Sequence, residues 1–317
     1  MISLFLDILL GAKNFSIISK KIKFFSRHPM VSVILPNYNH SKFLTKRIDS
    51  ILNQTYQDFE LIILDDCSTD NSWHLLNEYS ESPKVTILLQ NEVNSGNTFH
   101  QWEKGIELAK GQYIWIAESD DYCDYNFLEI TSNLLDENLD TSLVYCKSHR
   151  VNEDGYFLDD LNIWYEDLST FKWKNDYKNE GINEIRNTLS YKNTIPNASA
   201  VLFRKSMCTL NWEELLSYRL SGDWLFWIKL LEQNSVIYTT STINYFRVHK
   251  KTVRATQENN DTSSTERKRI LKYLLDKKFI SNFFFSTLMK SKKQKNFLEY
   301  LKNKVNSLAL HLLKNGK

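Results

Sequence analysis

Three carboxylates within four positions are the strongest chemical signal in the sequence: Glu118, Asp120 and Asp121, with Ser119 between the first two. They directly follow the apolar run 113–117, which is typical of a buried strand that ends at the rim of a sheet. Carboxylates so close together repel one another unless a cation neutralises them, and oxygen ligands suit Mg²⁺ or Mn²⁺, which in turn hold phosphates. The tetrad Glu118-Ser119-Asp120-Asp121 therefore predicts a site for a divalent metal ion and the diphosphate group that it holds. An acidic start to a helix predicted at 125–136 explains the same residues without a metal.

Polar residues also follow two other predicted strands. The run 31–35 continues into Pro36, Asn37, Tyr38, Asn39 and His40, and the run 59–64 continues into Asp65, Asp66, Cys67, Ser68, Thr69 and Asp70. Because the carboxyl ends of parallel strands meet at one edge of a sheet, we expect Tyr38, Asp66 and Asp120 to converge. Neither Gly-x-Gly-x-x-Gly nor a P-loop follows the first strand, which argues against those two nucleotide-binding motifs.

The elements that would position these residues alternate along the first half of the chain. A helix with Ser41 as its N-cap would separate the first two strands, and a third strand is predicted at 85–89. A further helix, which contains Trp102 and Ile106, would end near Gly111 as a C-cap and lead into the strand 113–117. This alternation predicts an α/β fold with a doubly wound sheet.

Composition excludes several classes of function. The 317 residues are 42% hydrophobic, enough for a substantial core, and 40 Lys and Arg balance 38 Asp and Glu, which argues against nucleic acid as a partner. Four cysteines without a close pair suggest neither a zinc site nor disulfides, and fit a reducing cytosol. The short apolar run 2–10 is interrupted by Asp7 and predicts neither a signal peptide nor a membrane span.

Several motifs in a fixed order resemble a known family. They are Pro36-Asn37-Tyr38-Asn39, the segment 48–56, Asp65-Asp66-Cys67-Ser68-Thr69-Asp70, Asn94-Ser95-Gly96-Asn97, and Gly111-Gln112-Tyr113-Ile114 with the tetrad. From about residue 31 to 252 the chain resembles the family 2 glycosyltransferases of the GT-A fold, including those of bacterial surface polysaccharides. The resemblance implies inverting transfer from a nucleotide-sugar, with UDP favoured, to a saccharide or lipid-linked saccharide in O-antigen or capsule synthesis, with Mn²⁺ or Mg²⁺.

The resemblance also implies a donor site. Tyr38 matches the aromatic residue that stacks on the nucleotide base, and Asp66 matches a carboxylate that accepts a hydrogen bond from the base edge; a rim tyrosine and an N-cap are the plainer interpretations. The remaining residues predicted to bind the donor are Pro36, Asn39, Ser68, Asn94, Gly96 and Ser119. For Asn94 and Gly96 a simple turn is the alternative. The chain departs from the family at Trp102-Glu103, where many members carry Arg-Asn.

Metal-binding and catalytic roles follow from the same match. Asp120 is the preferred direct ligand, with Asp121 next and Glu118 acting through water. His249 is predicted to approach the diphosphate or the metal, as a third ligand or a phosphate donor; a surface histidine is the alternative. Asp223 matches the catalytic base, and the N-cap of an apolar helix is the alternative.

Three segments complete the predicted organisation: a helical extension at 1–30, a GT-A domain at 31–255, and a basic amphipathic helical tail at 256–317, which starts with a polar linker at 256–265. The tail predicts contact with a membrane, a homo-oligomer contact or a solvated helical cap. The aromatic segment 153–180 predicts either part of an acceptor cleft or ordinary packing. We expect a cytoplasmic protein, at the inner face of the membrane if the tail binds lipid. A catalytically silent sugar-binding protein and a membrane-associated scaffold are the competing hypotheses.

Overall fold

Ten strands join one mixed sheet in the computed structural model, which describes residues 30–249 and 262–290. The strands are β1 (Val31–Asn37), β2 (Phe59–Asp65), β3 (Val85–Gln90), β4 (Tyr113–Ile116), β5 (Tyr122–Cys123), β6 (Thr141–Val151), β7 (Phe157–Asp160), β8 (Tyr177–Glu180), β9 (Val201–Arg204) and β10 (Ser235–Arg247). The α-helices in these ranges are α1 (Ser41–Leu52), α2 (Ser72–Glu78), α3 (Thr98–Leu108), α4 (Phe127–Glu137), α5 (Gly181–Glu184), α6 (Trp212–Leu216), α7 (Gly222–Leu231), α8 (Thr262–Asp276) and α9 (Asn282–Lys290).

The order of the strands explains how distant motifs meet. The path through the sheet is β3-β2-β1-β4-β9-β6-β10-β5, with β7 paired to β6 and β8 paired to β10. β1 lies parallel to β2 and to β4, and its register places Asn37 opposite Asp65. β9 runs antiparallel between β4 and β6, which makes the sheet mixed. The predicted α/β sheet is confirmed, and its four predicted strands are β1 to β4.

Apolar residues on both faces of β1 show why this strand lies in the centre. All seven of its residues are buried. Val33 packs in a core cluster with side chains of α1, α2 and α4, whereas Ile34 packs in the opposite cluster with those of α3, α7 and α8. A strand covered by helices on both sides is mostly apolar, because neither face meets water. The one polar residue of β1 before its end, Ser32, is buried and donates to Glu60 of β2, so β1 presents polar side chains to the rim only where it ends.

Asp70 caps two helices at the rim of the sheet. Its Oδ2 accepts from the backbone N–H of Ser41 at 3.0 Å, and its Oδ1 accepts from that of Ser72 at 2.9 Å. Although partial burial acts in the opposite direction, the hydrogen bonds from Ser72 and Ser41 hold the pKa of Asp70 below its ordinary value. Ser41 is not the N-cap that we predicted: it is the first residue of α1, and His40 occupies the N-cap position.

Gly111 serves a different purpose from the predicted helix C-cap. α3 ends at Leu108, and Ala109 is its C-cap. A Cβ atom on Gly111 would lie 2.4 Å from the backbone nitrogen of Ser32 in β1, a distance that atoms do not tolerate. Only glycine lets the chain pass so close to the strand before it enters β4.

The helix α8 packs into the main core. It begins at Thr262, so the predicted linker at 256–265 is wrong at its end. Ile270, Leu271 and Leu274 are completely buried in the same cluster as α7. Most of the predicted N-terminal extension, residues 250–261 and the tail after 290 lie outside the described residues. Within the described ranges, no helix is both long and apolar enough to cross a membrane.

Candidate active site

Two histidines and one carboxylate come together where β1, β4 and β10 end. The side chain of His249, which is buried, places Nε2 3.0 Å from Oδ2 of Asp120. The potential ligand atoms of His40, Asp120 and His249 all lie within 4.8 Å of one another. Ser119 orients the first of these rings, because its Oγ lies 2.8 Å from Nδ1 of His40. Ser119, which we predicted to bind the donor, therefore contacts and orients His40 beside the tetrad.

The surroundings of Asp120 favour its ionised form. Burial alone would raise the pKa of Asp120, but His40 and His249 hold it below its ordinary value. Two imidazoles and one carboxylate form a mixed nitrogen and oxygen donor set, which fits a first-row divalent cation such as Mn²⁺ better than Mg²⁺. These three residues therefore fit the kind of cation that the sequence predicts.

The other two acids of the tetrad are tied to the protein. Glu118 accepts a hydrogen bond from Nε1 of Trp102 at 2.9 Å, and burial, with Asp120 nearby, raises the pKa of Glu118 to about 8. Asp121 accepts from the backbone N–H of Arg247 at 2.9 Å and from Nδ2 of Asn197 at 3.0 Å. Burial, and then the charge of Asp120, raise the pKa of Asp121 to about 7. Of the three acids, Asp120 is the one that faces both histidines.

Arg247 locks the end of β10 to the tetrad, a role that sequence reasoning missed. Its Nε donates to the backbone oxygen of Asp120 at 2.7 Å, and its guanidinium also donates to the backbone oxygens of Asn152 and Glu153. The cation lies 4.7 Å from the ring centre of Phe43 in α1. Arg247 thus fixes the chain two residues before His249. The available signal was a basic residue two positions before His249.

Asp223 lies in the first turn of α7, where Ser221 and not Asp223 holds the N-cap position. Its Oδ2 accepts from Nδ2 of Asn193 at 2.9 Å, and its Oδ1 accepts from the backbone N–H of Trp224 at 2.8 Å. Asn193 is itself held, because its Oδ1 accepts from the backbone N–H of Ile195. The carboxylate is therefore fixed in one orientation by a neighbour that the sequence did not single out.

One cavity of about 410 Å³ brings the metal and catalytic candidates together. The predicted residues that line it are Glu118, Asp120, Asp121, Asp223 and His249. Phe99, Trp102, Arg150 and Arg219 form further parts of the wall. The predicted donor-binding residues are not part of this lining, so the structure divides the predicted site into a cavity and an adjoining rim.

The rim at the end of β1 presents an exposed aromatic ring on a fixed turn. Tyr38 is 44% exposed, so the ring has a free face of the kind that stacks on a nucleotide base. Asn39 adopts φ 57°, and its Oδ1 accepts from the backbone N–H groups of Thr69 and Asp70. Oγ of Ser68 accepts from the backbone N–H of Asn39 at 2.9 Å. Asn39 and Ser68 thus hold the turn, and Pro36 is buried in β1.

Asp66 organises the loop that carries Asn94 and Gly96. Its carboxylate accepts from Asn91, Asn94, Ser95 and Gln101, and only 5% of the residue is exposed. Asn94 closes the turn, because its Oδ1 accepts from the N–H of Gly96, which has a φ of +72°. A base edge that bonded to Asp66 would have to replace one of these donors. The backbone oxygen of Gly96 accepts from Arg219, which joins this loop to the cavity.

The aromatic segment 153–180 contains both buried and exposed rings. Tyr165 and Trp173 are buried, and their rings stack with centres 4.4 Å apart. Phe171, by contrast, is 74% exposed. No residue between 153 and 180 is among the described residues that line the cavity. For Tyr165 and Trp173 the interpretation as ordinary packing is therefore correct.

Parts of the sequence are similar to known proteins. The sequence model of the family described as "Glycosyl transferase family 2" matches residues 32–201, more than half of the chain. "Glycosyltransferase GlyG" of Streptococcus pneumoniae is 36% identical over 129 residues, which are 40% of this chain and 42% of that protein. "Poly(ribitol-phosphate) beta-glucosyltransferase" of Bacillus spizizenii is 36% identical over 110 residues, 34% of this chain and 17% of that protein. The aligned part is less than half of each relative.

A solved structure shares the fold. It is described as the crystal structure of S. aureus TarS 1-349 in complex with UDP, and it superimposes with a TM-score of 0.54 at 22% sequence identity, over 84% of this chain and 76% of that one. The mixed sheet and the helices of this protein thus form a GT-A fold, as predicted. With the family match over residues 32–201, the conclusion is direct: the chain belongs to glycosyl transferase family 2.

Proposed function

We propose that the protein is a metal-dependent inverting glycosyltransferase. It would move a sugar from a nucleotide-diphosphate donor to a hydroxyl group of a saccharide in the synthesis of a bacterial surface polysaccharide. The observation that carries the proposal is that one cavity holds both the Asp120–His249 pair and Asp223. A site for a divalent cation and a separate carboxylate are the two groups that such a transfer needs.

Asp223 is the proposed general base. As it takes the proton from the acceptor hydroxyl, the oxygen attacks the anomeric carbon of the donor sugar. A new carbon–oxygen bond forms while the bond to the diphosphate oxygen breaks on the opposite face, so the configuration inverts. The proton stays on Asp223, and the nucleotide diphosphate leaves with the electron pair. The hydrogen bond from Asn193 would keep the carboxylate aimed at the acceptor.

His40, Asp120 and His249 are the proposed ligands of the cation, which when bound offsets the charge of the departing diphosphate. Asp121 would shape the site without ligating, because protein donors already occupy both of its oxygens. Glu118 has one oxygen bonded to Trp102 and would act through water.

The donor nucleotide is proposed to lie along the rim, with its base on Tyr38. Asp66 and Gly96 would shape the loop beside the ribose and phosphates. UDP is the first nucleotide to test, since the related S. aureus structure is described as a complex with UDP. We further propose that the acceptor is lipid-linked and that transfer takes place at the cytoplasmic face of the membrane.

A thermal-shift screen tests the proposal. UDP, GDP, dTDP and CMP are each added with and without Mn²⁺ to wild type, Asp120→Ala and Asp223→Asn. We expect one nucleotide to raise the melting temperature of wild type and of Asp223→Asn only when Mn²⁺ is present, because a ligand that binds only the folded state stabilises it. Asp120→Ala should show no metal-dependent shift.

Turnover then separates catalysis from binding. Asp223→Asn should bind the nucleotide as wild type does but lose at least about 100-fold in turnover, because the amide cannot accept the proton. Equal turnover in Asp223→Asn and wild type would remove Asp223 from the proposed role. If wild type bound the nucleotide but showed no turnover, the result would favour a catalytically silent sugar-binding protein. If no variant bound a nucleotide in a metal-dependent way, the result would favour a membrane-associated scaffold.

A further inference from the structure

A carboxylate from α8 reaches the loop that precedes the catalytic helix. Glu266 is only 4% exposed, and its Oε1 accepts from the backbone N–H of Arg219 at 2.6 Å. Its Oε2 accepts from the backbone N–H groups of Leu220 at 3.0 Å and Ser221 at 2.8 Å. A single side chain, 45 or more positions away in the sequence, thus satisfies three consecutive N–H groups.

Those three residues lead directly into the cavity. Arg219 and Leu220 line it, and Ser221 is the N-cap residue of α7, which carries Asp223 in its first turn. Ser221 makes no capping hydrogen bond with its own side chain among the described residues. The carboxylate of Glu266 therefore satisfies the N–H groups of the residues that lead into α7, up to and including its N-cap residue, and places a negative charge near the positive end of the helix dipole.

The body of α8 holds Glu266 in place. Leu271 and Leu274, one and two turns further along the helix, are completely buried against the core, and Arg269 lies 4.0 Å from the ring centre of Tyr218 and donates to Ser217. These contacts attach the helix on both sides of the loop. A helix packed against the core and a buried acceptor together favour the conformation of the loop seen here.

We propose that Glu266 is a positioning residue for the active site: it fixes the backbone of residues 219–221 and so sets where Arg219 and Asp223 lie in the cavity. Its contribution to turnover rests on the glycosyltransferase function proposed above. Bonds from backbone N–H to a buried carboxylate are roughly twice as strong as neutral ones. A small displacement of a reacting group can lower a rate far more than it lowers stability.

The substitution Glu266→Gln tests this, because it keeps the shape of the side chain and removes its charge. The amide group also turns a donor towards N–H groups that need an acceptor. We expect hydrogen exchange at the amides of residues 219–221 to become at least about tenfold faster. With a turning-over donor and acceptor, kcat should fall at least about tenfold while the Kd of the nucleotide diphosphate stays within about twofold.

Two variants serve as controls. Asp276→Asn makes the same change from carboxylate to amide at an exposed position of α8, where the side chain pairs with Lys272, and it should alter neither exchange nor kcat. Leu135→Ala removes a fully buried core side chain of α4 on the other face of the sheet, away from α8, so it should lower the melting temperature but leave kcat of the folded protein near that of wild type. If Leu135→Ala lowered kcat as much as Glu266→Gln, general loosening would explain the effect and the proposal would be wrong.

The exchange measurement does not depend on the enzyme activity. Unchanged exchange in Glu266→Gln would overturn the proposal, whatever the turnover. Faster exchange together with unchanged kcat would also overturn it, because the loop would then not position the catalytic groups. A wild type that binds nucleotide and shows no transfer refutes the proposed function instead, and exchange alone then decides whether Glu266 holds the loop.

Discussion

At the scale of single residues, the cluster around Asp120 makes the most direct prediction. His249→Ala removes one of the three potential ligand atoms, so we expect the affinity for Mn²⁺ to fall at least about tenfold. Calorimetric titration of Mn²⁺ into the free protein measures this without any substrate. His74→Ala is the matched control, because His74 is an exposed residue of α2 that lies near Glu78 and does not belong to the cluster. Equal affinities in His249→Ala and wild type would exclude His249 as a ligand.

Sequence reasoning found the acids of this site but not the groups that orient them. Asp120 and Asp223 stand in recognisable motifs, whereas Asn193 and Glu266 are ordinary residues whose role exists only through a neighbour in space. His40 lies two positions after Tyr38 and was predictable in the same way, because it too follows the first strand. The roles of Asn193 and Glu266 depend on tertiary contacts, which no local pattern encodes.

At the scale of the element, Asp70 predicts a difference between two adjacent residues. Asp70→Ala removes the acceptors for α1 and α2, so the free energy of unfolding should fall by about 1–2 kcal/mol at neutral pH. Asn71→Ala should have little effect, since Asn71 occupies the N-cap position of α2 without a capping side-chain bond in the described structure. Chemical denaturation of both variants measures the difference.

The difference in stability between wild type and Asp70→Ala should also depend on pH, in a direction that the pKa of Asp70 defines. The pKa of Asp70 is lower in the folded protein than its ordinary value, so the ionised form adds stability above that ordinary value. The gap between wild type and Asp70→Ala should therefore persist at neutral pH and shrink as the pH falls below about 4. A gap that did not change with pH would show that the charge of Asp70 contributes nothing.

The sequence predicted that the strands and helices of the first half exist, but it predicted less well where each of them begins and ends. Of the four apolar runs in the first half, β1, β2 and β4 are buried on both faces, which leaves a continuous apolar signal in the sequence, whereas the edge strand β3 is only partly buried. Gly111 was misassigned because a glycine after a helix usually means a C-cap, whereas here the constraint comes from Ser32 in a strand far away in the sequence. Such close approaches leave no trace in the pattern around the glycine.

At the scale of the whole molecule, the packing of α8 tests the proposed domain boundary at 255. A chain that ends after residue 249 loses Ile270, Leu271 and Leu274 from the core, and three such side chains contribute about 5–9 kcal/mol. This is comparable to the total stability of a domain. We expect the shortened chain to lose cooperative thermal unfolding by circular dichroism, whereas a chain that ends at Lys290 keeps it. Equal melting of both chains would show that the helices after 255 are a true appendage.

The cluster of His40, Asp120 and His249 also has a consequence for how the chain acquires its structure. Asp120 and His249 are 129 positions apart, and the strand that delivers His249 pairs with β6, which β9 joins to β4 in the sheet. Contacts between such distant positions form slowly, because a long loop must close before they can form. In a refolding experiment, capture of Mn²⁺ should therefore be among the last events, and would report that the sheet is complete.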